Sequence, residues 1–312
     1  MHVSDIWHIS MFGPFEFIMA GVLVGFCVGI TGVGGGSLMT PILISLFRIE
    51  PHIAIGTDLL YAAISKFCGS LVHAKKMNIV WPIVIWLAAG SIPASFATHW
   101  VLDNYLSQSA NYKMVLTMVL GFMLTLTGIS IMFRAQIEAL FNKIRSKDVL
   151  EDYSLDYEKE SLQTKSKRAY IILMGIILGV FVTLSSVGAG AFGIMALVLM
   201  FPNLPMIRII GSDVVHAVLL TFVAGMGHMT SGNVDFHLLG WLLCGSIPAI
   251  IIGTLISSRL PEKLIRKILG ITLFALGLNF MINPIKAKPA AKPAAAYVLP
   301  GAAVSADKSV NV

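Results

Sequence analysis

The chain of 312 residues is 56% hydrophobic and only 12% charged, with a mean hydropathy of +0.84, whereas soluble domains carry about 25% charged residues. That composition excludes an ordinary soluble domain and marks an all-α integral membrane protein, in which the formal charge of +6 sets orientation through loops and tail rather than binding nucleic acid. Three cysteines, Cys27, Cys68 and Cys244, all lie in apolar segments without paired spacing, which gives neither a disulfide framework nor a metal site.

Residues 1–14 form an N-terminal lead with no Lys or Arg before the first apolar run and no clear small-residue cleavage site, so the lead is expected to stay on the chain. Eight apolar segments follow: Phe17 to Phe47, Ile53 to Val72, Ile79 to Trp100, Met114 to Phe133, Ala169 to Phe201, Ile209 to Met226, Leu238 to Ser257 and Leu264 to Ile282. Most are near the roughly 20 residues a spanning helix needs, which predicts helices rather than a barrel.

The segments are two copies of one pattern. Gly21, Gly25, Val33, Gly34 and Gly36 recur 154 residues later as Gly175, Gly179, Val187, Gly188 and Gly190. After one inserted residue, Gly56-Thr57-Asp58 matches Gly211-Ser212-Asp213, His73 matches His228, Asn78 matches Asn233, and Gly90-Ser91-Ile92-Pro93 matches Gly245-Ser246-Ile247-Pro248. This divides the chain into a first membrane repeat (15–133), a polar charged loop (134–168), a second membrane repeat (169–282) and a Lys/Pro/Ala tail (283–312) whose composition predicts disorder.

The first segment of each repeat exceeds thirty residues without a charge. One straight helix of that length would measure about 45 Å against a hydrocarbon core of about 30 Å. A break is therefore expected, at GVGGGS in one half and SSVGAGAFG in the other. Glycine-interrupted segments at matching places in two halves point to a transporter's binding site. If each broken segment crosses once, the halves are parallel; if each dips in and returns, they are inverted. Leaving out Lys66 and the tail, crossing distributes Lys and Arg ten to seven, while re-entry collects fifteen on one face against two, Arg48 and Lys113. Positive residues gather on the cytoplasmic side, which favours an inverted repeat.

A glycine break frees backbone N–H groups, and the half-helix that follows presents them with a partial positive charge. This is chemistry for an anion. The expected substrate-binding residues are Gly34, Gly35, Gly36 and Ser37 in the first turn and Ser185, Ser186, Gly188 and Gly190 in the second. Ionisable groups inside membrane segments suggest function, so Asp58, Asp213, His73 and His228 are coupling candidates, with His216 one helical turn beyond Asp213. The bland readings are helix caps for the acids and interfacial positions for the histidines. Lys66 shares a helix face with Asp58 but has Thr221 as its counterpart, and snorkelling or pairing accounts for it.

The GVGGGxxxxPxL turn (Gly32 to Leu43), the SSxGxGxF turn (Ser185 to Phe192) and the His228, Asn233, Asp235 loop resemble the TauE/SafE sulfite exporter family, also called toluene sulfonate uptake permeases. The resemblance covers both halves. It implies a multi-pass secondary transporter that moves small sulfur-containing anions, such as sulfite, sulfoacetate or other organosulfonates, across the bacterial inner membrane, with proton coupling open. No cofactor is expected. The partners are a small anion and the lipid bilayer, without nucleic acid; whether the chain acts as a homodimer is open. The rival readings are an intramembrane enzyme using Asp58, Asp213 and the histidines, and an anion channel.

Overall fold

The computed structural model describes residues 13–31, 36–75, 78–109, 111–144, 165–201, 204–256 and 262–285. Among these there are ten α-helices and no strand: α1 (Pro14–Thr31), α2 (Gly36–Ser45), α3 (Pro51–Lys75), α4 (Trp81–Val101), α5 (Tyr112–Ile144), α6 (Lys165–Ser185), α7 (Ala191–Met200), α8 (Met206–Thr230), α9 (Phe236–Ile256) and α10 (Glu262–Ile282). Seven are long and apolar enough to cross a membrane. α3, of 25 residues, has Thr57, Asp58, Ser65, Lys66 and Ser70 interrupting its apolar run. Trp81 and Trp100, both exposed, stand at the two ends of α4, separated by a rise of about 28 Å, which is where an aromatic belt would place them.

Both long apolar segments are broken. α1 stops at Thr31 and α2 starts at Gly36; α6 stops at Ser185 and α7 starts at Ala191. The Phe17 and Phe47 rings lie 4.9 Å apart, so α1 and α2 fold into a hairpin whose open ends meet. α5 runs on to Ile144 and α6 begins at Lys165, so both helices reach into the charged stretch between the repeats. The middle of that stretch, residues 145–164, lies outside the described residues, as do 1–12 and the tail from 286.

Four pairings hold the bundle: α1 with α9, α4 with α6, α3 with α8 and α5 with α10. Each joins one half to the other. The first is parallel, with Gly21 against the backbone of Leu242, Gly25 against Ser246 and Gly29 against Ile250; the second repeats it, with Gly175 against Leu87 and Gly179 against Ser91. The other two are antiparallel, with Gly121 against Gly277 and Gly128 against Gly270, and with Gly56 beside His228 and Gly225 beside Leu60. In hydrocarbon, helices gain little from burying apolar side chains, and close backbone approach through small residues supplies the contact instead.

The contact at Gly245 is tight: a Cβ there would stand 2.1 Å from the carbonyl oxygen of Ile18, whereas at Gly240 it would meet nothing within 4 Å. Gly245→Ala is therefore expected to force α1 and α9 apart and destabilise the bundle by about 1–3 kcal/mol. Gly240→Ala on the same helix should be neutral. Thermal unfolding of both variants in detergent checks the contrast, and equal midpoints would refute the backbone contact.

Candidate functional site

The two halves first lock together through their matched Gly-Thr/Ser-Asp motifs. Gly56 lies against the Asn233 carbonyl and Gly211 against the Asn78 carbonyl, each close enough that a Cβ would stand 2.2 Å from the oxygen. One residue on, the Thr57 hydroxyl accepts from the Asp235 N–H at 3.0 Å and the Ser212 hydroxyl accepts from the Val80 N–H at 2.8 Å. Asn78 and Asn233 thus sit in loops that dock on the opposite half. Asp235 also caps α9, its carboxylate accepting from the N–H groups of His237 at 2.9 Å and Leu238 at 3.0 Å.

These locks carry the adjoining acids into the interior. Asp58 is 0% exposed and Asp213 is 1% exposed, too deep to be helix caps at a surface. The Thr40 hydroxyl, from α2, donates to Asp58. Beside the same carboxylate lies the Ser186 hydroxyl from the break of the other half, short of hydrogen-bond geometry. Asp213 packs Oδ1 against the backbone of Gly193, where a Cβ would stand 2.2 Å away. Each acid therefore stands at the start of α7 or at the strained residue leading into it.

The second break has the backbone that glycine permits. Ser186, Gly188 and Gly190 have φ of 59°, 112° and 143°, conformations that favour residues without a β-carbon. α7 makes its first bonds from Gly193 N–H to the Gly188 carbonyl at 3.1 Å and from Ile194 N–H to the Gly190 carbonyl at 2.8 Å, so the N–H groups ahead of Gly193 lead the half-helix. Ser185 turns its hydroxyl onto the Phe181 carbonyl at 2.6 Å, which ties it to α6. The hydroxyl of Ser186, buried at 3% exposure, has no hydrogen-bond partner among the described residues. In the first break, Gly34 and Gly35 lie outside the described residues; Gly36 opens α2 and Ser37 is buried within it.

Lys66 does not snorkel. Its ammonium donates to the Ala189 carbonyl inside the second break, within electrostatic reach of Asp213 and Asp58. A second cation serves the first break, where Arg266 on α10 donates to the carbonyl of Thr31, the last residue of α1, at 3.3 Å. Tyr61 and His216 occupy equivalent places, one turn beyond each acid. His216 Nε2 lies 2.9 Å from the Ser91 hydroxyl, whereas the Tyr61 hydroxyl faces Ser246 and Ser65 short of hydrogen-bond geometry.

His228 is fully buried and donates from Nε2 to the Thr183 carbonyl at 3.0 Å, since a carbonyl can only accept. Its ring lies 5.7 Å from that of His99, and its Cβ faces Gly56, two residues before Asp58. His73 is in α3, and its side chain lies outside what the structure describes. Thr40, Tyr61, Ser91, Ser246 and Arg266 were missed as polar members of the site. The repeat already paired Ser91 with Ser246, which was the available signal; Arg266 has no counterpart that would have flagged it. Among the described residues no group of His, Cys, Asp and Glu is placed to hold a metal ion.

Compared with known proteins, residues 17–280 match the family described as Sulfite exporter TauE/SafE. The chain is 34% identical to a probable membrane transporter protein of Bacillus subtilis, YjnA, over 85% of this chain and 99% of the relative. It is 25% identical to a second from the same bacterium, YdhB, over 84% and 97%, and 25% identical to one from Methanocaldococcus jannaschii over 86% and 98%. No solved structure matches the chain.

The loop locks give a direct test. Thr57→Val and Ser212→Ala each remove the acceptor of a buried N–H in the opposite half, at a cost of about 1–3 kcal/mol. The two losses should be similar because the contacts are equivalent, and Thr57→Ser should restore stability. Denaturant or thermal melts in detergent measure this; an unchanged midpoint in both deletions would show that the loops are held by other contacts.

Proposed function

The chain belongs to the TauE/SafE sulfite exporter family and is a multi-pass membrane transporter, and from that premise we propose that it is a secondary transporter of small sulfur-containing anions, sulfite, sulfoacetate or other organosulfonates, in the bacterial inner membrane. The observation that carries this reading is the second break. There two positive-φ glycines, the buried Ser186 hydroxyl and the leading N–H groups of α7 converge with Asp58 and Lys66 inside a bundle of membrane helices.

The chemistry follows from the medium. An anion leaving water in a membrane needs donors fixed in advance, because creating them at the moment of binding would require breaking backbone bonds in hydrocarbon. In this reading Ser185, Ser186, Gly188 and Gly190 form one side of the site, and Gly34, Gly35, Gly36 and Ser37 supply the other by repeat equivalence. Asp58 and Asp213 are the coupling groups in this reading, both buried, Asp58 beside Ser186 of the second break and Asp213 against Gly193 at the start of α7. His73 and His228 lie well along α3 and α8 from the acid of the same helix, and in this reading a coupling role for them is as relays. The family and the relatives are described as membrane transporters, which supports transport over the enzyme reading.

An inverted repeat is supported by helix directions. α1 runs parallel to α9 and α4 parallel to α6, while α3 opposes α8 and α5 opposes α10. With antiparallel neighbours along each half, every helix of the first repeat then runs opposite to its counterpart in the second. The α1–α2 hairpin returns the chain to its starting face, and the Lys and Arg bias agrees.

Two experiments test the proposal. Gly188→Val is expected to abolish uptake of labelled sulfite into proteoliposomes while the protein still inserts, because valine resists a φ of 112°; Ser186→Ala should weaken sulfite binding roughly tenfold, the equivalent of about 1–2 kcal/mol. Near-normal flux from both would remove the turn from the site. A reporter fused after Ile282 should report from outside the cytoplasm, and a cytoplasmic position together with a cytoplasmic central loop would overturn the inverted arrangement.

A further inference from the structure

Resting on the small-anion reading above, we propose that Lys66 is the cation that pairs with the transported anion, and that each negative charge loaded beside it is matched by one proton taken up on Asp58 or Asp213. Anion and proton then cross together.

The argument starts from charge. Lys66 donates to the Ala189 carbonyl, within the strained turn that leads into α7, and has Asp213 and Asp58 as its electrostatic neighbours. It thus belongs to the turn that the anion reading singles out, although it comes from the first half. Its counterpart Thr221 is spent on its own helix, donating to the Ala217 carbonyl at 2.7 Å, so the second half supplies no matching charge. Lys66 is the cation found between the two acids.

With both carboxylates ionised and the ammonium charged, the three groups sum to one negative charge. Adding a monoanion without compensation doubles that charge in a medium where isolated charge is expensive. Holding the buried charge constant takes one proton per negative charge loaded: one ionised carboxylate suffices for a monoanion, and both must be ionised to balance a dianion. The proton comes from water on the loading side, rests on a carboxylate oxygen and leaves to water on the other side. No bond of the anion changes.

The surroundings of each group fit that exchange. Asp58 faces Thr40 of α2, Ser186 of the second break, and Tyr61 and Lys66 of its own helix. Its Oδ1 has no hydrogen-bond partner among the described residues, which leaves an oxygen able to hold a proton. Asp213 faces Gly193 of α7 and Lys66 of α3. His216 of α8 also faces Lys66 and is held by Ser91 of α4; it is the third titratable group of the centre.

The test uses the full chain in proteoliposomes with labelled methanesulfonate, a monoanion, and labelled sulfoacetate, a dianion, both of constant charge between about pH 6 and 8, so that pH acts on the protein alone. An outside more acidic by one unit should accumulate methanesulfonate about tenfold and sulfoacetate about a hundredfold, and a valinomycin-imposed potential should change neither. The double variant Asp58→Asn/Asp213→Asn should bring the pH-driven accumulation ratio of both probes to near one, and either single variant should cut sulfoacetate accumulation towards the roughly tenfold of the monoanion. In equilibrium binding, Lys66→Gln should lose affinity at least about tenfold and Lys66→Arg should recover most of it, the second variant guarding against a folding defect. Transport that follows the potential and ignores pH, or Lys66→Gln binding like the wild type, overturns this inference and leaves the small-anion reading standing. Failure of the wild type to bind or carry either probe, or sulfite, overturns both.

Discussion

A helix that stops inside a membrane leaves polar backbone where no water can reach it, and each unpaired group there costs several kcal/mol. The centre of this protein is arranged around two such stops. At the second, α6 ends at Ser185 and α7 begins at Ala191, and the turn between them is held by contacts from distant elements: the Lys66 ammonium on the Ala189 carbonyl, the Asp213 carboxylate against Gly193 and the Asp58 carboxylate beside Ser186. At the first, Arg266 reaches the terminal carbonyl of α1. Each break is braced by a cation from the opposite half. The breaks therefore require the two halves to be interleaved.

That interleaving explains why the glycines fall where they do outside the turns. Every major helix pairing joins the halves, and the glycines at Gly21, Gly25, Gly29, Gly175 and Gly179 bring one backbone onto another. The locks at Gly56-Thr57 and Gly211-Ser212 do the same for the loops. Helix register set in this way decides how far Asp58 and Asp213 sit from the ends of their helices. A side chain added at a packing glycine would act on the polar centre by shifting the helices that carry these acids.

Much of the architecture was legible in the sequence because it depends on length, periodicity and repetition. The apolar segments announced an all-helical protein with helices of membrane-crossing length. Helical extension into the charged stretch was consistent with its composition. The polar centre was less legible for a physical reason: its members come together across the two halves. Thr40 meets Asp58 across the loop between α2 and α3, and Lys66 meets Ala189 over 123 residues of chain. No local spacing encodes these meetings. The sequence left Lys66 between snorkelling and pairing, since helix position alone cannot say whether a long side chain turns to the lipid face or to an interior partner.

Comparing the halves position by position separates scaffold from chemistry. Where backbone packs on backbone the two copies match: Gly56 with Gly211, Thr57 with Ser212, Gly90 with Gly245, Ser91 with Ser246. In the polar centre they diverge, with Lys66 opposite Thr221 and Tyr61 opposite His216. A duplicated scaffold with pseudo-equivalent helices can exchange the roles of its halves at little energetic difference, which is what alternating access needs. A single anion, however, lies off any two-fold axis once its charge has one partner. The unmatched lysine and the His216–Ser91 pair, closed at 2.9 Å where Tyr61 and Ser246 remain open, break the symmetry in the polar centre. The repeated positions carry the helix packing, and the polar centre is where the two copies differ.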